Sequence, residues 1–272
     1  MTRPTKKPRR SGPIEEPFKA SQFIARNPVF RFDDFVEAHT ASGRSRATSI
    51  ALLRYHVEAG RIRSVRRGLY AANTHWVDPW VIGSRLTHDA TIAFDGALSF
   101  HGLVGLGHHI SYVTRERPTH FIFNEVVYLG VTGREMEEGV VTVERAGQEL
   151  RVTTRERTMV DLLDRLDLAP KPVELWKLFE KAGALDVEQM VHYATRLHNR
   201  VTAARLGFFL LGLKGTTPAD LRKLQRLRPR SPAYFERSSR RMGDPYLRDW
   251  NLVVPRPLYE RSRERWTRRA AR

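Results

Sequence analysis

Residues 40–72 read TASGRSRATSIALLRYHVEAGRIRSVRRGLYAA, and the fold of the N-terminal part turns on how this stretch is read. Gly43 interrupts the chain ahead of a helix-compatible run that opens at Ser45 and is stopped by Gly60. Two short β-type runs follow, 61–65 and 68–72, joined across Arg66 and Arg67. Ile50, Leu53 and Val57 recur at the three- and four-residue spacing that places side chains on one buried helix face. Arg44, Ser45, Arg46, Thr48 and Ser49 then fall at the N-terminal end and on the polar surface, the end by which a recognition helix meets base edges in the major groove. The hairpin adds Arg61, Arg63, Arg66 and Arg67 beside that helix, within reach of backbone phosphates. Seven arginines lie in the 24 residues from Arg44 to Arg67, opposed by Glu58 alone. The stretch predicts a winged helix-turn-helix. The competing explanation is an ordinary amphipathic helix and hairpin whose arginines are merely solvated.

Charge is distributed unevenly around this stretch. The 272 residues carry a formal charge of +17. Residues 1–75 are net +9, residues 76–215 net −2, and residues 216–272 net +10. The positive field therefore belongs to the two ends, which implies a polyanionic partner, while the middle has the balance of an ordinary globular segment. The length suits a small domain followed by a larger one. There is no cysteine, hence no disulfide framework or thiolate metal site. No apolar run is long enough to span a bilayer, and the charged start MTRPTKKPRRSGP leads into no apolar segment of the signal-peptide kind, so a cytoplasmic location is expected.

Residues 1–17 hold Arg3, Lys6, Lys7, Arg9 and Arg10 with four prolines and little that is apolar; a disordered basic arm is expected, either tracking phosphates or serving as a solubilising tail. Short helices are expected from Lys19 to Arg26 and from Phe32 to His39, with Asn27-Pro28 as a stop, so that residues 18–75 form the winged helix-turn-helix domain. After a boundary near Asn73, residues 76–272 read as a larger α+β domain with a basic tail. Asp78-Pro79 opens a helix, and residues 91–103 read as a strand turning into a helix. Five β-type runs between Ile110 and Thr153 predict a largely antiparallel meander. Thr154 then caps an amphipathic helix, further helices run through 173–182, 187–197, 203–213 and 218–227, and two short strands surround Gly243-Asp244-Pro245.

Catalytic signatures are few. The chain has no Gly-rich phosphate loop, no G-x-G-x-x-G after a strand and no H-E-x-x-H. His101, His108 and His109, with Asp95 nearby, are the candidates for a metal-dependent nuclease, but interleaved glycines and the lack of a second carboxylate at ligand spacing favour structural histidines. Asp161 and Asp164 are three apart on one helix, with Arg157 and Arg165 each four residues from Asp161, which predicts a solvated ion-pair face rather than paired catalytic acids. Segments 221–230 and 259–272 interleave arginine with Tyr259 and Trp266, a pattern suited to stacking on bases and gripping phosphates, or to arginines snorkelling around an anchoring Trp.

Three stretches together resemble a known family: Arg66-Arg67-Gly68-Leu69-Tyr70, Ala97-Leu98-Ser99-Phe100-His101-Gly102-Leu103, and Thr154-Arg155-Glu156-Arg157-Thr158-Met159-Val160-Asp161. In order and spacing they are similar to the abortive-infection antitoxins called AbiEi, bacterial transcriptional regulators of type IV toxin-antitoxin pairs, over roughly residues 18–260. The resemblance implies a winged helix binding inverted repeats in double-stranded DNA of its own promoter, an arrangement open to cooperative or dimeric binding. It also implies a C-terminal domain associated with antitoxicity against a nucleotidyltransferase-like toxin, generally without a stable complex. The family's DNA-contacting role falls here on Arg44, Ser45, Arg46, Thr48 and Ser49 of the helix and on Arg63, Arg66 and Arg67 of the wing. The expected function is autorepression and antitoxin action, with no catalysis, cofactor, metal or membrane. The alternatives are a nuclease or other phosphoryl-transfer enzyme delivered by the winged helix, and an RNA-binding or toxin-sequestering module acting through the basic C-terminus.

Overall fold

The computed structural model describes residues 18–73, 76–236 and 243–270, the last of these without side chains from 264 onward. The basic arm expected at 1–17 and the Trp266 side chain lie outside the described residues. The protein is a mixed α+β chain in which N-terminal helices are followed by strands and then helices. It divides into two compact units, 1–77 and 78–272.

In the first unit the order is α1 (Ala20–Arg26), β1 (Val29–Arg31), α2 (Phe32–Ala41), α3 (Arg46–Glu58), β2 (Ile62–Arg66) and β3 (Leu69–Ala72). β1, β3 and β2 form an antiparallel sheet in that order. β1 was not foreseen: three residues after Pro28 carry no period of their own, and it exists because β3 pairs with it, Val29 opposite Ala71. The β2–β3 turn needs Gly68, whose φ of +80° a side-chain-bearing residue adopts only with strain. The core is largely aromatic. Phe30 and Phe35 are fully buried, with Phe18, Phe23 and Tyr70 packed around them, and Leu53 and Ile62 joining from α3 and β2.

The second unit opens on α4 (Pro79–Ser84), where the Asp78 carboxylate accepts from Trp80 N and Val81 N and Pro79 occupies the first turn. Then come β4 (Thr91–Ile92), α5 (Phe94–Phe100), β5 (His109–Thr114), β6 (His120–Phe123), β7 (Val126–Thr132), β8 (Val140–Arg145) and β9 (Gln148–Thr153). The six strands lie in the order β6-β7-β5-β4-β9-β8. β6–β7 and β8–β9 are antiparallel, as their short turns require, and so is β4–β5. β5–β7 and β4–β9 are parallel, so the sheet is not a simple meander.

Helices α6 (Arg155–Asp164), α7 (Pro172–Lys181), α8 (Val187–Arg196), α9 (Arg200–Leu210) and α10 (Pro218–Leu227) follow. Their apolar faces form one core with α5 and parts of the sheet, centred on Trp176, Phe208, Leu206 and Trp250. α9 and the Trp250 indole meet closely at Gly207: a Cβ there would stand 2.1 Å from the ring. The strands expected around Gly243-Asp244-Pro245 exist as β10 (Ala233–Tyr234) and β11 (Tyr246–Leu247), but they do not pair with each other. Both pair with β12 (Leu252–Val253), and α11 (Arg256–Ala270) follows.

Candidate nucleic-acid interface

α3 begins where Ser45 caps it, its Oγ accepting from Thr48 N at 3.1 Å. The Thr48 hydroxyl lies 2.9 Å from the same Oγ, so these two side chains organise the helix start while remaining exposed. Arg44 is exposed just ahead of the cap. Arg46 is 63% exposed; its guanidinium lies 5.2 Å from the Phe32 ring centroid and 3.7 Å from Asp33. Both partners stand in solvent, where such a pair stabilises by at most about 1 kcal/mol and readily yields to a phosphate.

Ser49 is a correction. It is fully buried, its Oγ 2.9 Å from His39 Nδ1 and donating to Ser45 O, so it joins α2 to α3 and presents nothing to a ligand. The inward face of α3 is Ser49, Leu53 and His56 rather than Ile50, Leu53 and Val57. The face is rotated because a buried polar pair occupies the position that the apolar pattern assigned to Ile50. Ile50 (39% exposed) and Val57 are left in solvent, with Ala47, Ala51 and Arg54 also exposed. Arg54 and the exposed apolar positions were missed as candidates, since apolar residues at helical spacing read as core. Burial holds the His39 imidazole below its ordinary pKa, helped by the charge of Arg44, and burial followed by Arg61 does the same for His56.

On the hairpin, Arg67 is exposed at the turn and Arg63 and Arg66 are half-buried on β2. Arg61 lies over the Tyr55 ring, 5.1 Å from its centroid, and donates to the Tyr55 hydroxyl at 3.4 Å. One end of α3 and the adjoining hairpin thus carry exposed cations, and Glu58 remains the one carboxylate between residues 44 and 67.

No family model matches the chain, and no curated protein matches it. Among solved structures it is similar to the crystal structure of the RV2827C protein from Mycobacterium tuberculosis, with a TM-score of 0.57 and 14% identity over 89% of this chain and 92% of that one. The likeness is one of fold. It extends across both units, so the succession of helices, mixed sheet and helices is shared along nearly the whole of each chain.

In the second unit two of the side chains considered for chemistry are tied into the fold. Asp95 accepts from Gly96 N and Ser111 N, holding α5 to β5, and His101 Nε2 lies 2.7 Å from Thr153 O. His108 and His109 are exposed, and no three His, Asp or Glu side chains among the described residues gather as a metal-ligand set.

The ion-pair face expected on α6 is corrected in a different direction: it is buried, not solvated. Arg157 is 2% exposed, donates Nε to Asp161 at 3.2 Å, and uses its other nitrogens on the carbonyls of Arg134, Glu135 and Glu138. Tyr193 from α8 donates to Asp161 at 2.6 Å, and Arg157 lies over the Tyr193 ring, 4.9 Å from its centroid. Burial pushes the Asp161 carboxyl upward against the pull of Arg157, and pushes the Tyr193 phenol up as well. Asp164 accepts from Asn199 and Thr202, while Arg165 pairs with Asp167 rather than Asp161. These contacts fasten α6 to α8, α9 and the 134–138 turn. Their polar atoms are already matched, which suits a structural joint. No helix among the described residues is long and apolar enough to cross a membrane.

Proposed function

We propose that this chain is a sequence-specific DNA-binding regulator acting in the cytoplasm, with the first unit as a winged helix-turn-helix. In this reading α2 and α3 form the helix-turn-helix, α3 enters the major groove and the β2–β3 hairpin is the wing. The observation that carries the reading is the pairing of an exposed α3 surface bearing Arg46, Thr48, Ile50 and Arg54 with a hairpin turn bearing Arg66 and Arg67. A guanidinium suits guanine O6 and N7, and Ala47 and Ile50 offer apolar contact to thymine methyl groups, so this surface has both kinds of base-edge chemistry. Arg44, Arg63, Arg66 and Arg67 serve the phosphates. Ser45 and Thr48 set the helix start.

The resemblance to the AbiEi antitoxins supplies the biological setting: autorepression of a promoter containing inverted repeats, and opposition to a nucleotidyltransferase-like toxin without catalysis by this chain. It rests on the three quoted motifs. The structural neighbour adds a shared fold and no function.

The test is a nuclease footprint of purified protein on the DNA upstream of its own reading frame. The expected result is two protected half-sites related by inverted repeat and spaced by about one helical turn, or a multiple of it. Uniform coating without half-sites, or no protection at any concentration that coats random DNA, would remove the regulator reading.

A further inference from the structure

The second unit contains a second concentration of arginine, in a hollow rather than on a ridge. Between α10, the start of α9 and the β11–β12 segment lies a concavity of about 810 Å³. The cations that line it are arginines without exception. α10 sends Leu224 into the core and half-buries Leu221 and Leu227, which turns Arg222 and Arg226, one helical turn apart, to the opposite side. Arg230 and Arg248 face the same space from the segments that follow α10 and β11. All four are exposed, and no carboxylate among the described residues pairs with them.

The hollow is braced by polar contacts at its base. Arg200 donates to Arg228 O at 3.2 Å, Arg228 donates to Asp249 O at 2.8 Å, and Asn251 Nδ2 donates to Pro229 O at 2.9 Å. Tyr246 gives its hydroxyl proton to Asn251 Oδ1, which fixes the phenol edge, and the residue remains 49% exposed beside the guanidinium groups.

We propose that this hollow binds single-stranded nucleic acid, its free arginines pairing with successive phosphates and the Tyr246 ring stacking on an unpaired base. Several guanidinium forks facing one space call for an anion with several phosphate groups, because each fork matches a phosphate in bidentate fashion. An aromatic ring among them calls for an exposed base face, which a duplex keeps within its stack. The inference is independent of the regulator reading, because it concerns the second unit and a different form of nucleic acid. Of the two aromatic partners that the sequence pattern pointed to, Tyr259 packs against the core with Arg263 over its ring, and the Trp266 side chain lies outside the described residues.

Fluorescence anisotropy of the full-length protein with a labelled thymidine 12-mer, and with a duplex of the same length, tests it. The double variant Arg226→Ala, Arg248→Ala changes exposed side chains alone, and thermal melting verifies that it folds. It is expected to weaken single-strand binding about tenfold at moderate salt, and to reduce the salt slope by about 0.7 for each phosphate contact removed. Tyr246→Ala should weaken single-strand binding about fivefold or more while Tyr246→Phe retains most of it, as ring stacking requires. Wild-type affinity for the 12-mer in the folded double variant overturns the proposal. So does an equal loss of duplex binding in that variant, which would make the hollow a duplex-backbone contact, and so does displacement of the 12-mer by stoichiometric ATP, which would assign the hollow to a free nucleotide.

Discussion

In the first unit Arg46 holds its guanidinium in solvent with 63% of its side chain exposed, whereas Arg157 in the second unit is 2% exposed and has every nitrogen engaged by Asp161 or by three backbone carbonyls. Each sits in the first turn of its helix and has a carboxylate in reach. They differ in what packs above them. Among the described residues Arg46 has the Phe32 ring and the exposed Asp33 carboxylate beside it and keeps most of its side chain in solvent, so its charge is available to a partner. Arg157 lies under the 134–138 turn and the Tyr193 ring, so its charge is consumed inside the fold. Arginine content therefore says little about binding until the cover over each guanidinium is known.

The sharpest way to break this comparison is to remove the buried member. Arg157→Ala leaves Asp161 without its ion partner and three carbonyls without a donor, and should cost about 3 to 5 kcal/mol of stability. Chemical denaturation would measure it, and a loss under about 1 kcal/mol would mean that water replaces the guanidinium and that the site is effectively open. Arg46→Ala in the same assay should change stability by less than about 1 kcal/mol.

A smaller effect tests the joint between α2 and α3. The folded His39 pKa is depressed, by burial first and then by Arg44, from an ordinary value of 6.5. As pH falls below that value the unfolded chain binds the proton before the folded one does, so stability is full above the ordinary value and declines below it. Hydrogen exchange in α2 and α3, corrected for intrinsic rate, should show less protection at about pH 5.5 than at about pH 7.5, with His56 contributing in the same direction. Equal protection at both would place His39 in water and undo the explanation for the rotated face of α3.

What could be read in advance was largely local. Ser45, Thr154 and Asp78-Pro79 mark helix starts by side-chain chemistry acting within three residues, and Gly60 and Gly68 mark turns through the backbone freedom they supply. What could not be read depends on partners distant in sequence. β1 needs β3, and β10 and β11 need β12. The pairing of Arg157 with Asp161 follows i,i+4 spacing, which looks the same on a wet face as under Tyr193, 32 residues away. Of the candidate DNA-facing residues, Ser49 turned inward because His39, ten residues earlier, supplied a buried hydrogen-bond partner. Arg54 and Ile50 became surface for the same reason.

In the proposed function α3 reads bases while the hairpin holds phosphates, and the most direct measurement is the ratio of operator to random-DNA affinity for Arg46→Ala and Arg66→Ala beside the parent chain. The account predicts that Arg46→Ala lowers the ratio by the equivalent of about 1 to 3 kcal/mol, the worth of a base-edge contact. Arg66→Ala should weaken both DNAs alike and leave the ratio intact, since a phosphate contact carries no direct sequence information. Equal losses on operator and random DNA for Arg46→Ala would contradict it.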